Sequence, residues 1–158
     1  MLRKVTLLAA LVAVLTMVAV GAAWADIING TNGPDVLTGT DESDEIRGYG
    51  GSDQIFGLEE DDFLYGGSGA DFIWGGAGDD EIRGGAGNDT LRGQGGEDLI
   101  IGGTGDDFVY GGPGADTIDV SDDEAGNDSV FCGGGDDTVT ADLGDFVDED
   151  SCENVTFV

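Results

Sequence analysis

The sequence predicts an all-β fold, a right-handed parallel β-roll (a β-solenoid) with two nonapeptides per turn and a disulfide-pinned C-terminal cap. Three observations predict it: aspartates recur every nine residues, an aliphatic residue stands two places after each, and a glycine stands five places before each. A fixed short period of this kind is the signature of a repeat architecture.

The aspartates are Asp35, Asp44, Asp53, Asp62, Asp71, Asp80, Asp89, Asp98, Asp107 and Asp116. Their aliphatic partners run from Leu37 and Ile46 to Val109 and Ile118, and their glycines from Gly30 to Gly111. The unit is G-G-x-G-x-D-x-U-x, with U aliphatic, as in Gly66-Gly67-Ser68-Gly69-Ala70-Asp71-Phe72-Ile73-Trp74. A glycine-rich background does not hold three positions in register through ten units.

Each part of the unit has a physical reading. Glycines admit left-handed and closely approaching backbone, so six residues can turn sharply with carbonyl oxygens pointing inward. The closing Asp adds a charged oxygen to those carbonyls. The three residues after it form a short strand with U pointing in and its neighbours out. Two units then complete a turn, and the U residues form a thin core between two sheets.

Loops two units apart therefore stack about 4.8 Å from each other on one edge. One edge carries Asp35, Asp53, Asp71, Asp89 and Asp107, and the other Asp44, Asp62, Asp80, Asp98 and Asp116. Ions lying between stacked loops would number roughly eight over the regular stretch.

Composition narrows the ion. Arg3 and Lys4, the apolar run Val5 to Val20 and the small-residue site Ala23-Trp24-Ala25 read as a signal peptide over residues 1–25, implying a secreted, extracellular chain with no membrane span after removal. The leader takes two of the five cations and none of the 34 carboxylates, leaving a mature net charge of −31. Such a chain does not seek nucleic acid or an anionic membrane. It has no histidine, which excludes His-dependent triads and the commonest zinc ligand. Hard oxygen ligands remain, and they suit Ca2+.

The nonapeptide resembles the hemolysin-type calcium-binding repeat of the RTX family over roughly residues 29 to 140. The resemblance implies a calcium-dependent β-roll. The candidate metal-ligating set is the ten aspartates above with Asp128 and Asp137, together with the loop glycines Gly66, Gly69, Gly75, Gly78, Gly84, Gly87, Gly102, Gly105, Gly111 and Gly114. Many family members are exported by a dedicated exporter that reads a C-terminal signal. The N-terminal leader here departs from that pattern, so type I export is not carried over.

The pattern has irregularities. Glu42 and Glu60 replace the fourth-position glycine on one edge, which should distort or weaken those loops. Asp116 and Asp128 are twelve residues apart, placing a three-residue insertion in or beside Ser121-Asp122-Asp123-Glu124. The ten-unit roll accordingly spans 26–119, and 120–158 holds the irregular last repeats and a cap in which Val147, Val155 and Phe157 cover the open end. Cys132 and Cys152 read as a disulfide pinning that cap.

A non-enzymatic calcium-binding protein is the function this predicts. Carboxylate pairs are unavoidable in so acidic a chain and identify no hydrolase, and glycine-rich matches to nucleotide motifs lack the βαβ context. The alternative is an adhesive or assembly protein with an unidentified protein or surface partner. It draws on Phe56, Trp74 and Tyr110, with Phe72 and Phe108, which should line one sheet face. Cross-strand packing explains the same rings without a partner.

Overall fold

The computed structural model describes residues 25–121 and 127–158. The expected leader, apart from Ala25, and residues 122–126, most of the stretch expected to hold or adjoin the insertion, lie outside the described residues.

Each nonapeptide lays down one strand. The strands are β1 (Ile27–Asn29), β2 (Val36–Thr38), β3 (Glu45–Gly50), β4 (Gln54–Glu59), β5 (Phe63–Ser68), β6 (Phe72–Ala77), β7 (Glu81–Ala86), β8 (Thr90–Gly95), β9 (Leu99–Thr104), β10 (Phe108–Pro113), β11 (Thr117–Asp119), β12 (Ser129–Gly134), β13 (Thr138–Ala141), β14 (Phe146–Val147) and β15 (Asn154–Phe157). Odd-numbered strands form one eight-stranded sheet and even-numbered strands one seven-stranded sheet, making about seven turns of an all-parallel solenoid. Among the described residues no helix is long and apolar enough to cross a membrane.

The register follows the two-unit turn. Ile46 lies opposite Leu64, and Leu64 opposite Ile82. In the other sheet Ile55 faces Ile73, and Ile73 faces Leu91. The aliphatic residues from Ile46 to Ile118 are all buried and form one continuous core. The insertion between β11 and β12 lengthens the interval in both sheets, where Val109 meets Val130 and Ile118 meets Val139.

The strands are longer than the spacing predicts. Most have six residues, running on through the first half of the next loop. In β6 burial alternates from exposed Phe72 through buried Ile73 and half-buried Trp74 to buried Gly75. The first glycine of each loop therefore faces inward, in line with the core residue before it.

The C-terminal segment continues the roll. β14 pairs with β12 and β15 with β13, both in parallel, so the last turn extends both sheets. Val155 packs against the core, whereas Phe157 stays 42% exposed and does not cover the end as expected. Cys132 and Cys152 form a disulfide, and both are buried.

On the seven-stranded sheet Phe56 stacks on Trp74 at 4.8 Å between ring centres, and Tyr110 stacks on Phe131 at 5.3 Å. Arg92 stands between the two pairs with its guanidinium over Tyr110. The aromatic face exists, and its rings pack on cross-strand neighbours.

The disulfide closes a loop of 20 residues, so loop entropy assigns it about 3 kcal/mol. Replacing Cys132 and Cys152 together by serine should lower calcium-loaded stability by that amount in denaturant unfolding. A loss below about 0.5 kcal/mol would mean that the last turn is held by its sheet pairing alone.

Candidate metal sites along the two loop edges

The glycine pattern maps onto backbone conformation. The second loop position has positive φ at Gly67, Gly76, Gly85, Gly103 and Gly112, and the fourth at Gly69, Gly78, Gly87, Gly105 and Gly114. Fourth-position glycines sit tightly on the preceding turn, so that a Cβ on Gly69 would collide with the carbonyl oxygen of Gly51. Tyr49, Leu58 and Gln94 hold the second-position geometry at φ 73°, 103° and 80°, and Glu60 the fourth at 64°. The Glu60 loop thus keeps the regular conformation at a cost of roughly 1–2 kcal/mol, without the distortion expected of it. Glu42 has no positive φ, and its loop does differ.

Every predicted aspartate is buried, from Asp35 to Asp137. From Asp44 onward each is held by the turn before it. The N–H of Asp53 donates to Oδ1 of Asp71 at 2.8 Å, that of Asp71 to Oδ1 of Asp89 at 2.8 Å, and that of Asp89 to Oδ1 of Asp107 at 2.8 Å. Across the core, Asp62 donates to Asp80, Asp80 to Asp98 and Asp98 to Asp116 in the same way. The two ladders are the two edges read from the spacing, and they pass the insertion intact, Asp107 to Asp128 and Asp116 to Asp137. They end on Asp145 and Glu153, which sequence reasoning missed. Those two lie off the nine-residue period, and only an allowance for a shortened last turn would have found them.

The other carboxylate oxygen has no such partner. Oδ2 of Asp53, Asp62, Asp71, Asp80, Asp89, Asp98, Asp116 and Asp137 is buried without a hydrogen bond. In all of these but Asp137 it lies beside the inward-facing first glycine of its own loop and a carbonyl of the next turn. A Cβ on Gly84 would come 2.6 Å from the carbonyl oxygen of Gly102 and closer still to Oδ2 of Asp89. Gly66, Gly75 and Gly111 line the same space in their loops. At Gly102 the next turn supplies Val120 Cγ1 instead of a carbonyl, so the insertion alters that cradle.

Each cradle is therefore made of oxygen and is poor in side chains. Among the described residues no three Asp, Glu, Cys or His side chains converge. An ion there would draw mostly on backbone carbonyls with a carboxylate, a donor set that fits Ca2+ and not a thiol- or imidazole-seeking metal. The three arginines among the described residues stand on sheet faces, in β3, β7 and β8, away from the loop edges. Arg47 and Arg83 are engaged with Glu45 and Glu81 and flank the Tyr65 ring.

Comparison with known proteins agrees with this geometry. A family model described as the RTX calcium-binding nonapeptide repeat matches in four copies, at residues 29–64, 56–91, 92–123 and 118–145. No curated protein matches the chain.

Burial without a cation raises the carboxyl pKa values. Loss of water is the largest cause, with the stacked neighbours adding repulsion and the backbone N–H opposing both. Asp53, Asp62 and Asp98 rise to about 6, and Asp80 and Asp89 to about 7.

The folded chain without metal thus binds more protons than the unfolded chain, whose carboxyls titrate near 4. Its stability is greatest below that value and falls as pH rises toward 7. Acidifying the calcium-free chain from pH 7.5 to pH 4 should increase its β circular dichroism signal. No gain, with light scattering excluding aggregation, would show that the buried carboxylates do not oppose the fold.

Proposed function

This chain belongs to the RTX calcium-binding nonapeptide repeat family, whose repeats bind Ca2+, and from that premise we propose that it is an exported, non-enzymatic calcium-binding module that folds when ions fill its two loop edges. The observation that carries this reading is the repeated buried Oδ2 without a hydrogen bond, set beside a carbonyl of the next turn. Each ion would lie between loops eighteen residues apart, held by the Asp of one loop and by loop carbonyls of both. The ligands are the predicted aspartates and the backbone around Gly66, Gly75, Gly84, Gly102 and Gly111, with Gly69, Gly78, Gly87, Gly105 and Gly114 shaping the loops. Residues 26–119 form the regular roll and 120–158 its irregular end.

Export rests on the basic and apolar leader at 1–25, and the buried disulfide is in keeping with an oxidising destination. Ions that bind only the folded chain stabilise it by mass action, and several sites add. The adhesive alternative draws on the aromatic face, but the stacking of Phe56 on Trp74 and of Tyr110 on Phe131 accounts for those rings as sheet packing.

Calcium added to the chelated chain should convert a disordered circular dichroism spectrum into a β spectrum, and Mg2+ at the same concentration should not, because it demands a tighter octahedron and keeps its water. Equal rescue by both ions would reduce the effect to charge screening.

Asp89→Ala should weaken the sites that its loop shares with the loops of Asp71 and Asp107, leaving those beside Asp80 and Asp98 filled. Ion occupancies in crystals grown at limiting calcium measure this. Emptying beside Asp80 and Asp98 alone would assign each ion to consecutive nonapeptides and refute the stacked sites.

A further inference from the structure

The first loop on each edge differs from all the regular loops. Gly30-Thr31-Asn32-Gly33-Pro34-Asp35 and Gly39-Thr40-Asp41-Glu42-Ser43-Asp44 carry threonine where the unit has its second glycine. Thr31 donates to Oδ2 of Asp35 through its N–H at 2.6 Å and its hydroxyl at 2.9 Å. Thr40 does the same to Oδ2 of Asp44, at 2.5 and 3.0 Å. The hydroxyl also accepts a hydrogen bond two residues on, from Gly33 in one loop and Glu42 in the other. In the loops of Asp53, Asp62, Asp71, Asp80, Asp89, Asp98 and Asp116 the equivalent oxygen has no hydrogen bond.

We propose that Thr31 and Thr40 close these two loops with their own hydroxyl and amide protons, so that the first loop on each edge holds no calcium and the ion-binding run begins one turn later, at Asp53 and Asp62. The inference rests on the calcium reading and refines it.

The backbone supports it. Tyr49, Leu58 and Gln94 hold the second position at positive φ although none is glycine, and Oδ2 of Asp53, Asp62 and Asp98 in their loops accepts no hydrogen bond. Thr31 and Thr40 have no positive φ, and neither have Gly33 and Glu42 at the fourth position. A non-glycine residue does not by itself change the loop, since Leu58 and Glu60 together keep the regular form. The threonine hydroxyl is what differs. Two protons aimed at Oδ2 occupy the lone pairs that an ion would use, and the carboxylate is satisfied without metal.

The count of sites follows. Oδ2 of Asp35 and Asp44 also lies near a next-turn carbonyl, but the cradles whose Oδ2 has no hydrogen bond pair Asp53, Asp62, Asp71, Asp80, Asp89 and Asp98 with the carbonyls of Gly66, Gly75, Gly84, Gly93, Gly102 and Gly111, and Asp116 with that of Cys132. These are seven, where equal spacing suggests eight. The intervals that start at Asp35 and Asp44 drop out, and one beyond Asp116 is added. The first turn thereby becomes an end of the solenoid that needs no ion.

Metal analysis of the full chain after dialysis against saturating calcium tests this. The wild type should carry about seven ions, Asp44→Asn the same number, and Asp80→Asn at least one fewer. Thr31→Gly with Thr40→Gly should raise the number toward about nine, by restoring the regular loop. Loss of an ion in Asp44→Asn equal to that in Asp80→Asn, or no gain in the double threonine variant, would overturn the proposal while leaving calcium binding in place. A wild type that bound no calcium would instead overturn the functional reading beneath it.

Discussion

Everything in this fold depends on the stacking of like charges. The solenoid places a buried carboxylate directly above another on each edge, at about the 4.8 Å strand spacing, and no arginine stands on either edge among the described residues. Two unit charges at that distance repel by about 3 kcal/mol at an effective dielectric near 20. The ladder N–H to Oδ1 bonds oppose this repulsion, while loss of water on burial, the largest cause, holds the pKa values of Asp80 and Asp89 up. The core is too thin to carry the remainder, being a single file of aliphatic side chains per sheet. A cation between the loops would relieve this repulsion and so favour the folded chain.

The glycines follow from the same constraint. An inward-facing first glycine leaves the space in which Oδ2 and the next turn's carbonyl meet, and any Cβ there would fill it. The fourth-position glycine serves the vertical packing of the loops, where a side chain would strike the carbonyl below. A Cβ at the second-position Gly67, Gly76 or Gly85 would also strike a carbonyl of the turn below, yet Tyr49, Leu58 and Gln94 stand at that position with positive φ and exposed side chains. The first glycine thus leaves room for the carboxylate, while the second and fourth serve the packing of one turn on the next.

Much of this was legible in the sequence. The period set which strands are neighbours, which aspartates share an edge, which aliphatic residues are buried and where the insertion shifts the register. The two cysteines announced their bond. What was hidden depends on hydrogen bonding that no period encodes. The strands run into the loops because the parallel ladder continues around the corner, as in the bond from the Gly69 N–H to the Ala86 carbonyl. Glu42 and Glu60 look equivalent as replacements of glycine, yet only Glu60 takes the left-handed conformation. The difference lies two residues earlier, where one loop has Thr40 and the other Leu58, and only a hydroxyl can turn back on the aspartate. Asp145 and Glu153 complete the ladders from a turn shortened to intervals of seventeen and sixteen residues, which breaks the very pattern by which the others were found.

A solenoid stacked only on its neighbours is as stable as its weakest interface, and its two ends have a neighbour on one side only. In the middle of this roll each cradle draws oxygens from two adjacent turns. The first loop on each edge also has a following turn, with the carbonyls of Gly48 and Gly57 near Oδ2, but that oxygen is already hydrogen-bonded. The chain meets this limit differently at its two ends. At the N-terminus, threonine hydroxyls and amides supply the protons that satisfy Asp35 and Asp44. At the C-terminus the last cradle borrows the carbonyl of Cys132, and the same residue's side chain is bonded to Cys152 in the turn beyond. The final cradle is thus held from outside by a covalent link where the stack of loops runs out, so hydrogen bonds, oxygen cradles and a disulfide each stand where the local supply of neighbouring turns permits.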